Sequence, residues 1–447
     1  MDIMQKLVIL TDSAKYDAAC TSSGANRSSP KGTLGNTVAA GCCHSFSADG
    51  RCISLLKVLM TNECIHDCRY CVNRRSNDVQ RASFLPEELA EITIQFYRRN
   101  YIEGLFLSSG VYRSPDYTME LMIKAIEIIR YRHLFWGYIH AKAIPGASPE
   151  LVVRLGYLVD RISVNIELPS EESLRRLAPG KTKKSILDPM RRIAGAINES
   201  SSDLIAYKNA PRFATGGQAT QMIIGASPES DYQIIRLASG LYGKFQLKRV
   251  FYSAYLPVME DNELPSVESH PPLLREHRLY QADFLMRQYG FKADEILSEQ
   301  YPDFNPYLDP KCNWAVNHME FFPVDVNTAS LEQLLRVPGI GPLSSKRIVT
   351  ARKNARLASA DLKRLGVVMK RAAFFISTAD RPDSRISSQS VALALMDPGV
   401  FSLGYEQLSF FTQPSTGSTP LPALDRPGLI GENITEAAEI IARKLHT

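Results

Sequence analysis

Cys64-Ile-His-Asp-Cys68-Arg-Tyr-Cys71 places three thiols at C-x3-C-x2-C spacing directly after the apolar run Ile53 to Met60. Three thiolates are one short of closing a tetrahedral metal site. They can, however, hold three corners of a four-iron, four-sulfur cluster and leave the fourth iron open. Two other readings use the same residues: a zinc knuckle that borrows His66 or a distant ligand, and unrelated buried thiols.

The elements around this stretch must hold it still. From Ile53 the chain alternates apolar runs with amphipathic ones. Candidate strands are Ile53 to Met60, Gly104 to Ser108, Phe135 to Ala141, Arg161 to Glu167, Gln221 to Gly225 and Arg249 to Tyr255. Helical patterns fall between them at Pro86 to Asn100, Asp116 to Arg132, Pro149 to Tyr157, Ser185 to Glu199 and Pro228 to Tyr242, three of them with proline at the first turn. Consecutive β-α units require right-handed crossovers and a parallel sheet, so the fold class predicted is α/β, a partial (β/α)6 barrel. Barrels of this kind carry their reactive groups on loops at the carboxyl ends of strands. The cysteine loop follows the first candidate strand, as that rule expects. In the fourth, Ser163, Asn165 and Glu167 alternate with Ile162, Val164 and Ile166, which aims the polar set at one face, the barrel interior.

The chain has 447 residues, 45% hydrophobic and 22% charged, enough for a sizeable core and for two domains or one with an appendage. The net charge of +5 is modest, so any argument for a polyanionic partner has to be local. No run approaches the roughly 18 to 20 apolar residues that span a bilayer, and Met1 to Leu10 do not read as a secretory signal. A cytoplasmic location is the expectation. Eight cysteines in a long chain of this kind point to metal or reactive thiols rather than disulfides.

Residues 1–50 are polar and weakly periodic and are expected to be mostly irregular. They carry Cys20, Cys42 and Cys43, with Cys52 close behind. A second cluster or structural metal could use Cys20, Cys52 and one of the adjacent pair; ordinary thiols are the alternative. The barrel is expected over 51–310, with a proline- and acid-rich connection over 257–272 and a helix over Leu273 to Tyr289.

A second signal lies at 320–376. A helix capped by Asn327 or Thr328 would run to Arg336, and Val337-Pro338-Gly339-Ile340-Gly341 would turn tightly into a second helix near Leu343. Ser359 to Ala372 reads as a degenerate repeat of the same hairpin, with Gly366 at its turn. Between Arg336 and Arg371 there are ten Lys or Arg against one Asp, a concentrated basic patch suited to phosphate. This stretch resembles a helix-hairpin-helix module. In such modules amides at the second helix's start, aided by its dipole, meet phosphate and read backbone rather than base sequence. The residues implied are Gly339, Ile340, Gly341, Ser344, Ser345, Lys346 and Arg347; packing or protein contact is the alternative use of such hairpins. Residues 377–447 read as linker followed by a terminal helix, Glu432 to Lys444, with no role assigned.

The cysteine spacing, with Tyr70 just before the last thiol, resembles the radical S-adenosylmethionine (SAM) enzymes. The resemblance implies a 4Fe–4S cluster on Cys64, Cys68 and Cys71, SAM bound to its open iron, and a 5'-deoxyadenosyl radical that removes a hydrogen atom from substrate. It also implies SAM contacts from Tyr70, from the Ser108-Ser109-Gly110 backbone to the amino group, from Lys142 to the carboxylate, from Asn165 or Glu167 to the ribose, and from Gly225 on the adenine side; for Lys142, Asn165 and Glu167 a satisfied polar barrel interior is the alternative. Many superfamily members have a Gly-Gly-Glu-Pro type sequence where this chain has Ser108-Ser109-Gly110. The order of parts over about residues 5–376 is similar to a family described as DNA modification or repair radical SAM proteins. That likeness includes Cys71-Val-Asn-Arg-Arg75 and Pro338-Gly-Ile-Gly341, and implies an external electron donor and a uracil-DNA-glycosylase-like partner. Arg69, Arg74, Arg75 and Arg81 either extend a phosphate track or form a solvated rim. An RNA- or tRNA-modifying radical SAM enzyme and a non-catalytic iron–sulfur DNA-binding protein are the competing expectations.

Overall fold

The computed structural model describes residues 1–14, 42–46, 52–207, 209–381 and 387–396. Two compact units divide the chain: Met1–Glu229 with Gly240–Pro272, and Ser230–Ser239 with the chain from Leu273 onward. No helix among the described residues is long and apolar enough to cross a membrane.

The first unit is built on one seven-stranded sheet in sequential order. Its strands are β1 (Cys42–Phe46), β2 (Cys52–Leu59), β3 (Gly104–Ser108), β4 (Tyr138–Lys142), β5 (Arg161–Ser163), β6 (Gln218–Ile224) and β7 (Arg249–Ala254). From β2 to β7 every pairing is parallel, whereas β1 pairs antiparallel with β2. The six-stranded parallel part is the half-barrel expected from the sequence. Its crossovers are α2 (Pro86–Arg98), α3 (Pro115–Glu127), α4 (Pro149–Leu158), α5 (Glu171–Leu177), α6 (Lys183–Ala206) and α7 (Asp231–Phe245), through which the division between units passes. The strands are buried on both faces, as a helix-covered parallel sheet requires: all five residues of β3 are buried.

Where residues 1–50 are described, at 1–14 and 42–46, they form regular elements in place of the irregular chain expected. Helix α1 (Ile3–Ala14) buries Leu7, Leu10 and Ala14, and β1 adds an edge strand. The alternation in Cys42-Cys-His-Ser-Phe46 is too short to show above the polar background. The proposed second metal site on Cys20, Cys42, Cys43 and Cys52 and the helix Glu432 to Lys444 fall outside the described side chains.

Strand β5 is shorter than its sequence suggests because Thr220 interrupts the ladder. Its hydroxyl donates to the Val164 carbonyl at 2.7 Å and accepts from the Ile166 amide at 2.9 Å. Pairing resumes as a bridge between Glu167 and Met222. Both sets of the alternation are buried, Ile162, Val164 and Ile166 as well as Ser163, Asn165 and Glu167.

The second unit is helical, with α8 (Leu273–Tyr289), α9 (Ala293–Ile296), α10 (Pro310–Asn317), α11 (Leu331–Arg336), α12 (Pro342–Ala351), α13 (Ser359–Arg364), α14 (Met369–Ala372) and α15 (Ser388–Leu395). Short strands β8 (Val324–Asp325) and β9 (Ile376–Ser377) pair in parallel and close the hairpin region. Ser330 caps α11 by accepting from the Gln333 amide. The expected cap Asn327 instead ties Leu357 through both its amide oxygen and nitrogen.

Candidate functional site

The cysteine loop leaves the carboxyl end of β2, and its base is closed by one side-chain amide. Asn62 donates to the Gln80 carbonyl and accepts from the Ala82 amide, each at 2.8 Å. Inside this neck, Arg81 places its guanidinium against four backbone carbonyls, Asn62, Asn73, Arg74 and Asn77, at 2.6 to 2.9 Å. Five fixed donors on a planar fork suit such a knot of carbonyls. Arg69 and Arg74 both reach the largely buried Asp261, at 2.8 and 3.1 Å. Burial opposes the Asp261 charge, but the Glu263 amide and the two guanidiniums outweigh it and lower its pKa. Three of the four arginines are therefore committed to holding the loop. Arg75 is exposed, and the Arg69 side chain, though bound to Asp261, is 42% exposed, so the rim reading holds for these two and not for Arg74 and Arg81.

Cys64, Cys68 and Cys71 are free thiols on this loop. The Val111 amide lies 3.4 Å from Cys64 Sγ, and the Leu177 carbonyl at the end of α5 accepts the Arg69 amide at 2.8 Å. Burial pushes the Cys71 thiol up to about 12, with Cys68 adding to it, and burial also raises Cys68. No three His, Cys, Asp or Glu side chains among the described residues converge on a position for one metal ion. A cluster makes a different demand, because it spreads its thiolates over separate irons.

Glu167 and Lys181 form an ion pair of 2.7 Å beside the thiols, with side-chain exposures of 11% and 14%. Burial opposes the Lys181 charge, but Glu167, joined by Cys68 and Cys71 when these are ionised, overcomes it, so its pKa is raised. Glu167 sits at φ +65°, a left-handed conformation costly for a residue with a side chain. The following turn also crowds the loop: a Cβ on Gly180 would run into the His66 ring. The sequence reading passed over Lys181. Its only signal was a Pro-Gly turn shortly after Glu167, too weak to place a lysine at the strand end. Breaking a buried pair strands the remaining charge, so Lys181→Ala should cost about 3–5 kcal/mol in denaturant unfolding. The double change Lys181→Met with Glu167→Leu should recover most of that; a single variant within about 0.5 kcal/mol of the parent would contradict this account.

The other expected contacts are distributed as follows. Ser108 and Ser109 have buried hydroxyls without hydrogen-bond partners. The Ser108 carbonyl accepts from the Met60 amide and the Gly110 amide donates to Thr61, so those backbone groups are already used. Gly110 leaves no room for a Cβ against the Glu63 carbonyl. Tyr70 packs on an apolar cluster of Leu168, Leu177, Ala226, Tyr255 and Leu264. Its hydroxyl lies near Cys68 without hydrogen-bond geometry, and the Tyr255 hydroxyl is also buried without a partner. His140 meets the Ser163 hydroxyl at 2.9 Å, Asn165 faces Gln221 at 3.5 Å, and Lys142 ends β4 half-buried. Gly225, at φ +87°, ends β6 against Pro272. Orphaned hydroxyls beside unpaired thiols and a buried cation fit a polar cosubstrate and a cluster bound at this strand end.

In the second unit, Gly339 has φ +82°, and its missing Cβ makes room for the Val368 carbonyl 2.5 Å from where that atom would lie. The Val368 amide closes the contact on the Gly339 carbonyl at 2.9 Å. The repeat over 359–372 is therefore a second hairpin, with Gly366 at φ +88°. Lys346 and Arg347 are exposed midway along α12. Ile340, Ser344 and Ser345 do not offer side chains: all three are buried, and the serine hydroxyls bond to the Gly366 and Pro342 carbonyls. The Ser345 amide is already in the helix ladder, bonded to Gly341. Those residues were expected at the interface on sequence position alone, which does not resolve which helix face packs inward.

Residues 58–208 match the radical SAM superfamily, and residues 321–364 match a helix-hairpin-helix motif. No curated protein matches the chain. Among solved structures it is similar to a crystal structure of HydG, a maturase of the FeFe-hydrogenase, at 16% identity over 51% of this chain and 48% of that one, with a TM-score of 0.39. It is similar also to the FeFe-hydrogenase maturase HydG from Carboxydothermus hydrogenoformans, at 18% identity over 51% and 50%, with a TM-score of 0.37. The chain spans about half the length of these structures. Residues 58–208 thus carry a radical SAM domain, and enzymes of that superfamily use a 4Fe–4S cluster and SAM.

Proposed function

We propose that this radical SAM enzyme modifies or repairs DNA that its helix-hairpin-helix unit grips by the phosphate backbone. The observation that carries the reading is the exposed pair Lys346 and Arg347 midway along α12, the helix that follows a glycine turn, in a chain whose other unit holds three free thiols on a stapled loop. Cys64, Cys68 and Cys71 would hold the cluster. When bound, it supplies the electron that cleaves SAM to the 5'-deoxyadenosyl radical, an electron drawn from an external donor.

The chain's own residues do the rest. Lys181, with Lys142 as second candidate, offers a cation to the SAM carboxylate, while Glu167 keeps the lysine charged and in place. Ser108 and Ser109 offer hydroxyls, Asn165 and Glu167 lie at the same strand end, Gly225 gives close backbone approach on the adenine side, and the Tyr70 cluster excludes water. Gly339 to Gly341 and the first amides of α12 would meet phosphate, with Lys346 and Arg347 adding charge. A base within a duplex cannot reach an enclosed site, so the substrate is extruded or single-stranded. The glycosylase-like partner rests on the family resemblance alone.

Competition among duplex DNA, single-stranded DNA and tRNA for the intact protein tests the reading. Preference for DNA, with an altered nucleoside in DNA from cells that have the gene and not from cells that lack it, is expected. Preference for tRNA would transfer the chemistry to RNA. Failure of the reconstituted protein to bind SAM would favour a non-catalytic DNA-binding role.

A further inference from the structure

Beneath the hairpin turn lies a lysine that the exposed basic surface does not include. Lys311, on the first turn of α10, is 8% exposed and donates from Nζ to the Ile340 carbonyl at 2.7 Å, the middle of Gly339-Ile340-Gly341. Its ammonium stands 4.4 Å from the centre of the Tyr289 ring. The nearby Asp309 carboxylate is occupied by the amides of Lys311 and Cys312 and by Arg371 at 2.9 Å. A carbonyl and an aromatic face thus stand where a buried lysine ordinarily has a carboxylate.

The placement matters because a trans peptide points its carbonyl and its amide in opposite directions. Drawing the Ile340 carbonyl inward turns the Gly341 amide outward, at the cap of α12. The Gly339 carbonyl is likewise tied inward by the Val368 amide. We propose that Lys311 is an internal cation of the hairpin, a positioning residue that fixes the turn with its amide facing out and adds a buried positive charge to the grip on a phosphodiester. This rests on the nucleic-acid reading of the hairpin given above.

A consequence in pH follows. Burial pulls Lys311 down to about 7, Asp309 and Cys312 work the other way, and Arg336 adds to the depression. The groups facing it are Asp309 and Cys312 from α10, Arg336 from the end of α11, Tyr289 from the end of α8, and Arg371 of α14 through Asp309. Burial raises the Cys312 and Tyr289 hydrogens well out of the neutral range, which leaves Lys311 as the member of this set that titrates there. A phosphate favours the charged lysine, so binding takes up protons and weakens as pH rises past 7.

The test is anisotropy of the intact protein with a fluorescein-labelled 20-base-pair duplex at fixed ionic strength, from about pH 6.5 to 8.5. The dissociation constant should rise about fivefold across that range, whereas Lys311→Met should bind more weakly at the acid end and vary less than about twofold. Lys311→Arg, charged throughout, should be tight and flat. A folded Lys311→Met that keeps the parent's pH slope overturns the proposal. Should that variant fail to fold, calorimetry of the parent near pH 7.5 in two buffers of different ionisation enthalpy decides: fractional proton uptake supports the proposal and none overturns it. A parent that binds no duplex at any pH ends the phosphate-grip reading and the proposal with it. Binding that Lys346→Glu weakens but Lys311→Met leaves unchanged ends the proposal alone.

Discussion

Replacing any one of Cys64, Cys68 and Cys71 with alanine is expected to abolish 5'-deoxyadenosine formation from SAM under reducing conditions. Each thiol is one of only three on the loop, and no other cysteine with a described side chain lies in that unit. A cluster that loses one of three protein ligands has no neighbour among the described side chains to substitute, so the loss should exceed the roughly 10–100-fold typical of an outer hydrogen-bond partner. The loop itself should survive, because its shape depends on Asn62, Arg81 and Asp261 rather than on the thiols. Cys312→Ala is the control: that thiol is buried in the second unit, and its removal should leave the yield unchanged. Iron content and product are measured together, and undiminished product from any of the three variants would remove that cysteine from the site.

Reversing both charges midway along α12, Lys346→Glu with Arg347→Glu, should weaken duplex binding on the order of a hundredfold at moderate salt. Both side chains are exposed, so the change leaves the packed face of α12, Ser344, Ser345 and Ile348, intact. The slope of log affinity against log salt should fall by about two, one for each phosphate contact removed. An unchanged slope with weaker binding would mean that the fold, not the contact, had been damaged. Equal binding by parent and variant would take the nucleic acid away from this face.

The parts of this molecule legible in its sequence were those with a period or a fixed spacing. Alternating apolar runs gave the parallel strands, β3 to the residue, and the glycine turn gave the hairpin. Side-chain bonding between distant residues carries no such pattern. Thr220 cuts β5 short by bonding across to a neighbouring strand, and Arg81 gathers carbonyls from four places along the loop. Lys181 pairs with Glu167 only because α5 ends where it does. Among the hairpin residues, sequence position located the turn but not which side chains face inward, so Ser344 and Ser345 stood among the residues expected to meet DNA without their packing being foreseen.

The guanidinium knot around Arg81 has one more implication. A pocket whose backbone is tied by side-chain donors keeps its form whether or not metal has arrived, so the ordering entropy is spent during folding and not at the moment of loading. Maturation then resembles seating an inorganic guest in a finished mould, in contrast to small metal-dependent domains that remain unfolded until the ion comes.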